Sequence, residues 1–96
     1  MAAFKSRLKT GAEEFRSAAA QMRAQVDDLR KTLALAGQGG DTAARDRHTA
    51  RGKLLVRDRI KALLDPDSPW LELSPLAAWD MYDNQVPAAG IVTGIG

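Results

Sequence analysis

Residues 45–65 read RDRHTARGKLLVRDRIKALLD, and this basic block holds seven of the 14 Lys and Arg residues and the single histidine. Residues 1–44 before it carry seven basic and five acidic groups, whereas residues 62–96 carry five acidic groups and no basic one. This asymmetry predicts one of two things: the basic block pairs with the acidic segment, or it forms a local anion site.

Length and composition limit the classes of protein. Ninety-six residues make one small domain or a piece of a larger one. With no cysteine and one histidine, a disulfide framework and a Cys- or His-rich metal site are excluded. A net charge of +2, without aromatics interleaved in the basic block, argues against nucleic acid as a partner.

Targeting signals are weak throughout the chain. No run of eighteen apolar residues occurs, so no membrane partner is expected. The N-terminus lacks an apolar secretion signal, and Glu13 and Glu14 argue against a transit peptide. We expect a bacterial cytoplasmic location, with the mitochondrial matrix as the less favoured alternative.

Residues 1–40 predict a helical leader that ends in a Gly-rich hinge. Thr10 and Glu13 fit a capping box at its start, and Gly37–Gly40 supplies a left-handed cap and a flexible hinge at its end. Apolar residues then recur at steps of three and four, as in a heptad seam. The members of this seam are Ala12, Phe15, Ala19, Met22, Val26, Leu29, Leu33 and Ala36. The helix packs on its own domain or a neighbouring subunit, or it forms a coiled-coil dimer.

Two shorter helices are predicted after the hinge. Asp41 or Thr42 can cap a helix that runs to about Arg51, and Gly52 interrupts it because glycine costs about 1 kcal/mol in a helix. A third helix covers about residues 55–64, until Asp65 and the prolines after it stop it. The apolar face expected for this helix consists of Val56, Ile60, Leu63 and Leu64.

The remaining third of the chain changes to a strand-like pattern. Residues 70–74 predict a short strand, and residues 90–95 begin another that has no partner after it. Between them, Trp79, Met81 and Tyr82 are expected to fold onto the body. These features predict the N-terminal piece of a larger α/β protein, mostly helical in this part, with two short strands near its C-terminal end.

Catalytic chemistry is hard to assemble from these residues. His48 has no Ser, Cys or carboxylate at a spacing typical of a triad, so we expect it to pack rather than catalyse. Gly37–Gly40 lacks the Lys-Ser/Thr of a phosphate loop. Around Gly52, however, Arg51, Lys53 and Arg57 could bind a phosphate, unless they pair with the acidic segment.

Several motifs together resemble a known family. Residues 47–54 (RHTARGKL), 57–60 (RDRI) and 63–66 (LLDP) resemble the start of carboxyltransferase β subunits of biotin-dependent acyl-CoA carboxylases. Residues 68–74 (SPWLELS), 82–84 (YDN) and 86–96 (VPAAGIVTGIG) look most like the methylcrotonoyl-CoA type, as do 13–15 and 26–29 in the leader. Val56 stands where the family often has proline, and Asp67 stands where it often has glycine.

The resemblance implies a crotonase-like α/β carboxyltransferase N-terminal domain that starts at about residue 41 and continues beyond this sequence. It implies transfer of CO2 from carboxybiotin to an acyl-CoA, most simply 3-methylcrotonoyl-CoA in leucine degradation. A propionyl-CoA or acetyl-CoA type and a non-enzymatic helical interaction module are the alternatives.

Further implications concern cofactors and partners. Biotin would be carried covalently on a partner α subunit, with no cofactor held by these residues, and the β subunit would form a homo-oligomer. The family's oxyanion-binding turns lie downstream of Gly96. We therefore expect no catalytic residue here, an inactive 96-residue piece, and at most a contact of Arg51, Lys53 and Arg57 with the CoA phosphates.

Overall fold

The computed structural model describes residues 2–87 and 89–96. Its elements follow in the order α1 (Glu13–Gly37), α2 (Thr42–Ala50), α3 (Val56–Leu63), β1 (Leu71–Leu73), a 3-10 turn (Tyr82–Asn84) and β2 (Thr93–Ile95). The chain divides into two compact units, residues 1–31 and 32–96. Within the described ranges, no helix is long and apolar enough to cross a membrane.

Helix α1 begins later than the capping box predicts. Its first α-helical hydrogen bond runs from the Arg16 amide to the Ala12 carbonyl, so Ala12 rather than Thr10 is the N-cap. The predicted cap is therefore wrong. A cap at Thr10 would place Gly11 in the first turn, where glycine is unfavourable. Starting at Glu13 instead places two carboxylates at the positive end of the helix dipole.

The apolar seam of α1 is only partly covered. Phe15 and Val26 are half-buried and Ala36 is fully buried, as the heptad pattern predicts. Met22 and Leu29, in contrast, remain 60% and 49% exposed. The middle of this helix therefore presents apolar side chains to solvent.

Local signals define the ends of the first two helices. The Gly39 amide bonds the Ala36 carbonyl at 3.1 Å with φ of 85°, a left-handed cap that suits glycine. Asp41 caps α2 by accepting the Ala44 amide at 2.6 Å. The helical path then ends in a turn at Gly52, whose φ is 73°. The predicted glycine end of α1, the Asp41 cap and the break at Gly52 are confirmed, and the hinge itself stays a prediction.

The inward face of α3 is rotated from the predicted one. Ile60 and Leu64 are half-buried, but Leu63 is 84% exposed and Val56 is 44% exposed. The predicted face is therefore wrong at these two positions. The reason is that Arg57 points inward and shares the buried face with Ile60 and Leu64, because it binds a carboxylate there.

Strands β1 and β2 pair with each other. They are antiparallel, with Leu71 opposite Ile95 and Leu73 opposite Thr93. The strand expected to have no partner after it is therefore not unpaired, because it pairs with the earlier strand β1. A Cβ added at Gly94 would collide with the Trp70 ring, and one at Gly96 would lie 2.9 Å from it. The two glycines thus make room for the indole.

The segment between the strands is only partly packed. Ala78 and Pro87 are buried and Trp79 is half-buried, whereas Met81 is 49% and Tyr82 72% exposed. The expectation that Met81 and Tyr82 fold onto the body is wrong. Residues 82–84 all have positive φ. They form a tight turn that local backbone hydrogen bonds close, and their side chains remain exposed.

Candidate functional site: the Arg57 cluster

Arg57 binds two parts of the chain that are distant in sequence. Its Nε and Nη2 atoms donate to the two carboxylate oxygens of Glu72 at 3.1 and 2.5 Å. Its Nη1 donates to the Gly37 carbonyl at 3.1 Å. The side chains of Arg57 and Glu72 are only 25% and 20% exposed. This Arg57 cluster (Gly37, Arg57 and Glu72) therefore joins the end of α1, the start of α3 and strand β1.

The geometry suits arginine specifically. A planar guanidinium can bind a carboxylate with two parallel hydrogen bonds and still direct a third N–H elsewhere. The third bond here satisfies a carbonyl at the C-terminal end of α1, where the last four carbonyls of a helix lack intrahelical partners. For Arg57, the predicted pairing of the basic block with the acidic segment is confirmed.

His48 has a structural contact. Its Nε2 lies 2.8 Å from the Leu54 carbonyl oxygen. Because a carbonyl can only accept, Nε2 carries the hydrogen. The bond spans the turn at Gly52 and fixes α2 to the chain that leads into α3, which agrees with the predicted packing role.

Arg51 and Lys53 are placed differently from Arg57. Both are exposed and flank Gly52, and the backbone amide of Arg51 closes the end of α2 on the His48 carbonyl. Their side chains contribute nothing to the lining of the two grooves beside Arg57. The three predicted phosphate ligands therefore do not form one cluster, and the CoA contact stays a prediction.

Two open grooves lie beside the Arg57 cluster. One, of about 480 Å³, is mainly apolar and runs between α3, the 65–68 turn and Trp70. The other, of about 540 Å³, lies between the 37–40 loop, α2 and residues 54–59. Arg45 lines the second groove, and its Nε is buried with no hydrogen-bond partner in the described part of the chain. Neither groove has the carboxylate or histidine cluster of a metal site among residues 2–87 and 89–96.

Sequence reasoning missed three members of this region: Gly37 as an acceptor, Glu72 as the partner, and Arg45. Alternation in residues 70–74 places Glu72 on the same face as Trp70, so a charged residue on an aromatic face was a usable signal. The role of Gly37 depends on a backbone carbonyl, for which the sequence carries no signal.

Comparison with known proteins identifies the class. Residues 47–96 match the family described as Carboxyl transferase domain. Because the match covers more than half of the chain, the protein belongs to this family. The basic block from residue 47 onward and the whole Arg57–Glu72 pair lie inside the matched region. The predicted domain start at residue 41 stays a prediction.

The names of the curated relatives are more specific than the description of the family. The chain is 55% identical over 80 residues to a Mycobacterium tuberculosis protein named biotin-dependent 3-methylcrotonyl-coenzyme A carboxylase beta1 subunit. The alignment covers 83% of this chain and 15% of that protein. It is 48% identical over 84 residues to a Drosophila melanogaster protein named probable methylcrotonoyl-CoA carboxylase beta chain, mitochondrial, covering 86% of this chain and 14% of the relative.

A third relative has a more general name. The chain is 48% identical over 91 residues to the probable biotin-dependent acyl-coenzyme A carboxylase beta2 subunit of Mycobacterium tuberculosis, covering 95% of this chain and 17% of the relative. The chain thus spans only 14–17% of the length of these three relatives. The family resemblance predicted from the motifs is confirmed.

Proposed function

We propose that this chain is part of the carboxyltransferase β subunit of a biotin-dependent acyl-CoA carboxylase, with 3-methylcrotonoyl-CoA as the acceptor of CO2. The observation that carries the proposal is the family match over residues 47–96, together with relatives named for methylcrotonoyl-CoA carboxylation. One relative is named only as an acyl-coenzyme A carboxylase subunit, which is compatible with a second candidate, a carboxyltransferase for a propionyl-CoA or acetyl-CoA substrate.

The proposal includes a fold and a set of partners. The chain forms the start of a crotonase-like domain in a β subunit that assembles with further copies and with a biotin-carrying α subunit. Biotin remains on that partner, and acyl-CoA is the substrate. The catalytic turns lie outside these residues, so the role of residues 32–96 is to hold the edge of the domain in shape through the Arg57 cluster.

A chimera tests the proposed function. The matching residues of the Mycobacterium tuberculosis beta1 subunit are replaced by this chain, and carboxylation of 3-methylcrotonoyl-CoA and propionyl-CoA is measured with the biotin-carrying subunit present. We expect the chimera to assemble and to remain active on the host's own substrate, while the isolated 96-residue chain shows no turnover. A chimera that assembles but carboxylates neither substrate contradicts the proposal, as does turnover by the isolated chain.

Contact with the CoA phosphates is a separate part of the proposal. Arg51 and Lys53 are exposed on either side of Gly52, which leaves both cations accessible to a phosphate. Arg57 already binds Glu72 and Gly37, so a phosphate there would have to share its guanidinium. We therefore expect the first two residues to contribute most of any binding and Arg57 to contribute mainly stability.

Alanine variants of the chimera separate these roles. Arg51→Ala with Lys53→Ala should raise the KM for the acyl-CoA about three- to tenfold and leave kcat and Tm unchanged, since only charge-assisted contacts to substrate are lost. Arg57→Ala should instead lower Tm. Arg47→Ala, an exposed arginine in α2, is the matched control. An unchanged KM in the double variant would show that the exposed pair does not touch substrate.

A further inference from the structure

Helix α1 carries an arginine at every seventh position from 16 to 30. Arg16, Arg23 and Arg30 each directly follow a large apolar member of the seam. Seven residues make almost two helical turns, so the three guanidinium groups lie on one edge of the helix, about 10 Å apart along its axis. We call these three residues the arginine edge.

The seam beside the arginine edge is accessible. Met22 and Leu29 are 60% and 49% exposed, and Phe15 and Val26 are half-buried. An apolar stripe with a 3–4 spacing is the surface that a second helix covers in a coiled coil. A partner helix would therefore meet apolar side chains in the middle and positive charge along one side.

The arginine edge is open to an additional partner. Arg16 pairs with Glu13 at 3.1 Å and Arg30 with Asp27 at 3.7 Å, both within one helical turn, and the two arginine side chains are 65% and 74% exposed. Pairs this exposed contribute little, so they are readily exchanged. Arg23 makes no ion pair with any residue in the ranges 2–87 and 89–96.

A second copy of α1 does not fit this surface. In a parallel pair, the arginine edge would face the opposite flank of the other copy, where Ala18 and Gln25 carry no charge. In an antiparallel pair, arginine would face arginine, and like charges at these positions are destabilising. Neither arrangement supplies a carboxylate.

We propose that α1 is a docking surface for an acidic amphipathic helix, one whose apolar stripe is flanked by Glu or Asp at heptad spacing. The apolar seam supplies the buried contact, and the arginine edge selects the sign of charge on the partner. This inference is independent of the proposed function, since it depends only on α1. Contacts between copies of the chain would then use other surfaces.

Two synthetic helical peptides test the proposal. Both have four heptads with the same Leu and Ile seam, and one carries Glu while the other carries Lys at every position that flanks the seam. We expect the 96-residue chain to bind the Glu peptide at least about tenfold more tightly than the Lys peptide at low salt. The difference in affinity between the two peptides should shrink in 0.5 M NaCl, because exposed charges are screened.

Charge-matched variants locate the effect. The triple variant Arg16→Gln, Arg23→Gln, Arg30→Gln should lose the preference for the Glu peptide. Removing the same net charge elsewhere, with Arg7→Gln, Arg47→Gln and Arg59→Gln, should leave the preference intact. Circular dichroism checks that helicity is equal in both variants. Equal binding of the two peptides, no binding of the Glu peptide, or dimerisation of the chain through α1 in ultracentrifugation at tens of micromolar would each overturn the proposal.

Discussion

The ion pairs of α1 and the Arg57–Glu72 pair use the same chemical groups in opposite settings. In α1, Arg30 meets Asp27 at 3.7 Å, with side chains 74% and 64% exposed. In residues 32–96, Arg57 meets Glu72 in a two-bond arrangement, with 25% and 20% exposure. The first pair joins residues three apart, whereas the second joins residues fifteen apart.

The comparison shows where charge can specify structure. A pair within one helical turn forms whenever the helix forms, so it adds little information about the fold. A partly buried pair between distant segments forms only when those segments meet, and losing one partner leaves a charge in a desolvated site. The basic block therefore helps to define the fold of residues 32–96 chiefly through Arg57.

The largest effect is expected where this second region is most tightly packed. Gly94→Ala should destabilise residues 32–96 by about 3 kcal/mol, because the added Cβ collides with Trp70 and lies 2.5 Å from the Leu71 carbonyl oxygen. Urea unfolding followed by tryptophan fluorescence measures it, since both tryptophans lie in this unit.

Gly11→Ala is the control for that substitution. A Cβ at Gly11 has no neighbour within 4 Å, so the same chemical change should leave the fluorescence transition in place. If Gly94→Ala unfolds at the same urea concentration as the original chain, the packing of the indole against β2 does not stabilise the unit, and the contrast between the two regions is lost.

Glu72→Gln should have the next largest effect, about 2 kcal/mol of destabilisation, because Arg57 keeps its charge in a half-buried position and loses an ionised acceptor. The same urea titration measures it. Arg57→Lys, made in the original chain, should also be destabilising. An ammonium cannot form the two parallel bonds to Glu72 and the third bond to Gly37 together. A Lys variant as stable as the original chain would contradict the role given to the planar geometry.

Local signals predicted most of the helical boundaries. Asp41 caps α2, glycines end α1 and α2, and the Asp65-Pro66 step closes α3. Each of these signals acts within about four residues, which is why sequence alone is sufficient. The Thr10 cap is the exception, because α1 begins after Gly11 and places Glu13 and Glu14 in its first turn.

Contacts between distant segments were not predictable in the same way. The pairing of β1 with β2 and the inward rotation of α3 depend on which segments meet, and one sequence does not encode that locally. At the candidate site, the motifs singled out Arg57, and the charge asymmetry predicted that it could pair with the acidic segment. Its acceptor Glu72 and the Gly37 carbonyl became evident only from the folded chain.

Asp27→Asn should have the smallest effect and complete the comparison. The substitution removes the partner of Arg30, yet the unfolding free energy should change by less than about 0.5 kcal/mol, because both side chains are mainly exposed and remain solvated without each other. Far-UV circular dichroism follows α1, and the difference from the original chain should vanish in 1 M NaCl. A loss above about 1 kcal/mol that persists in high salt cannot come from an exposed pair. It would mean that other groups cover this side of α1. The Arg30–Asp27 pair would then be buried, and exposure would no longer distinguish it from the Arg57–Glu72 pair.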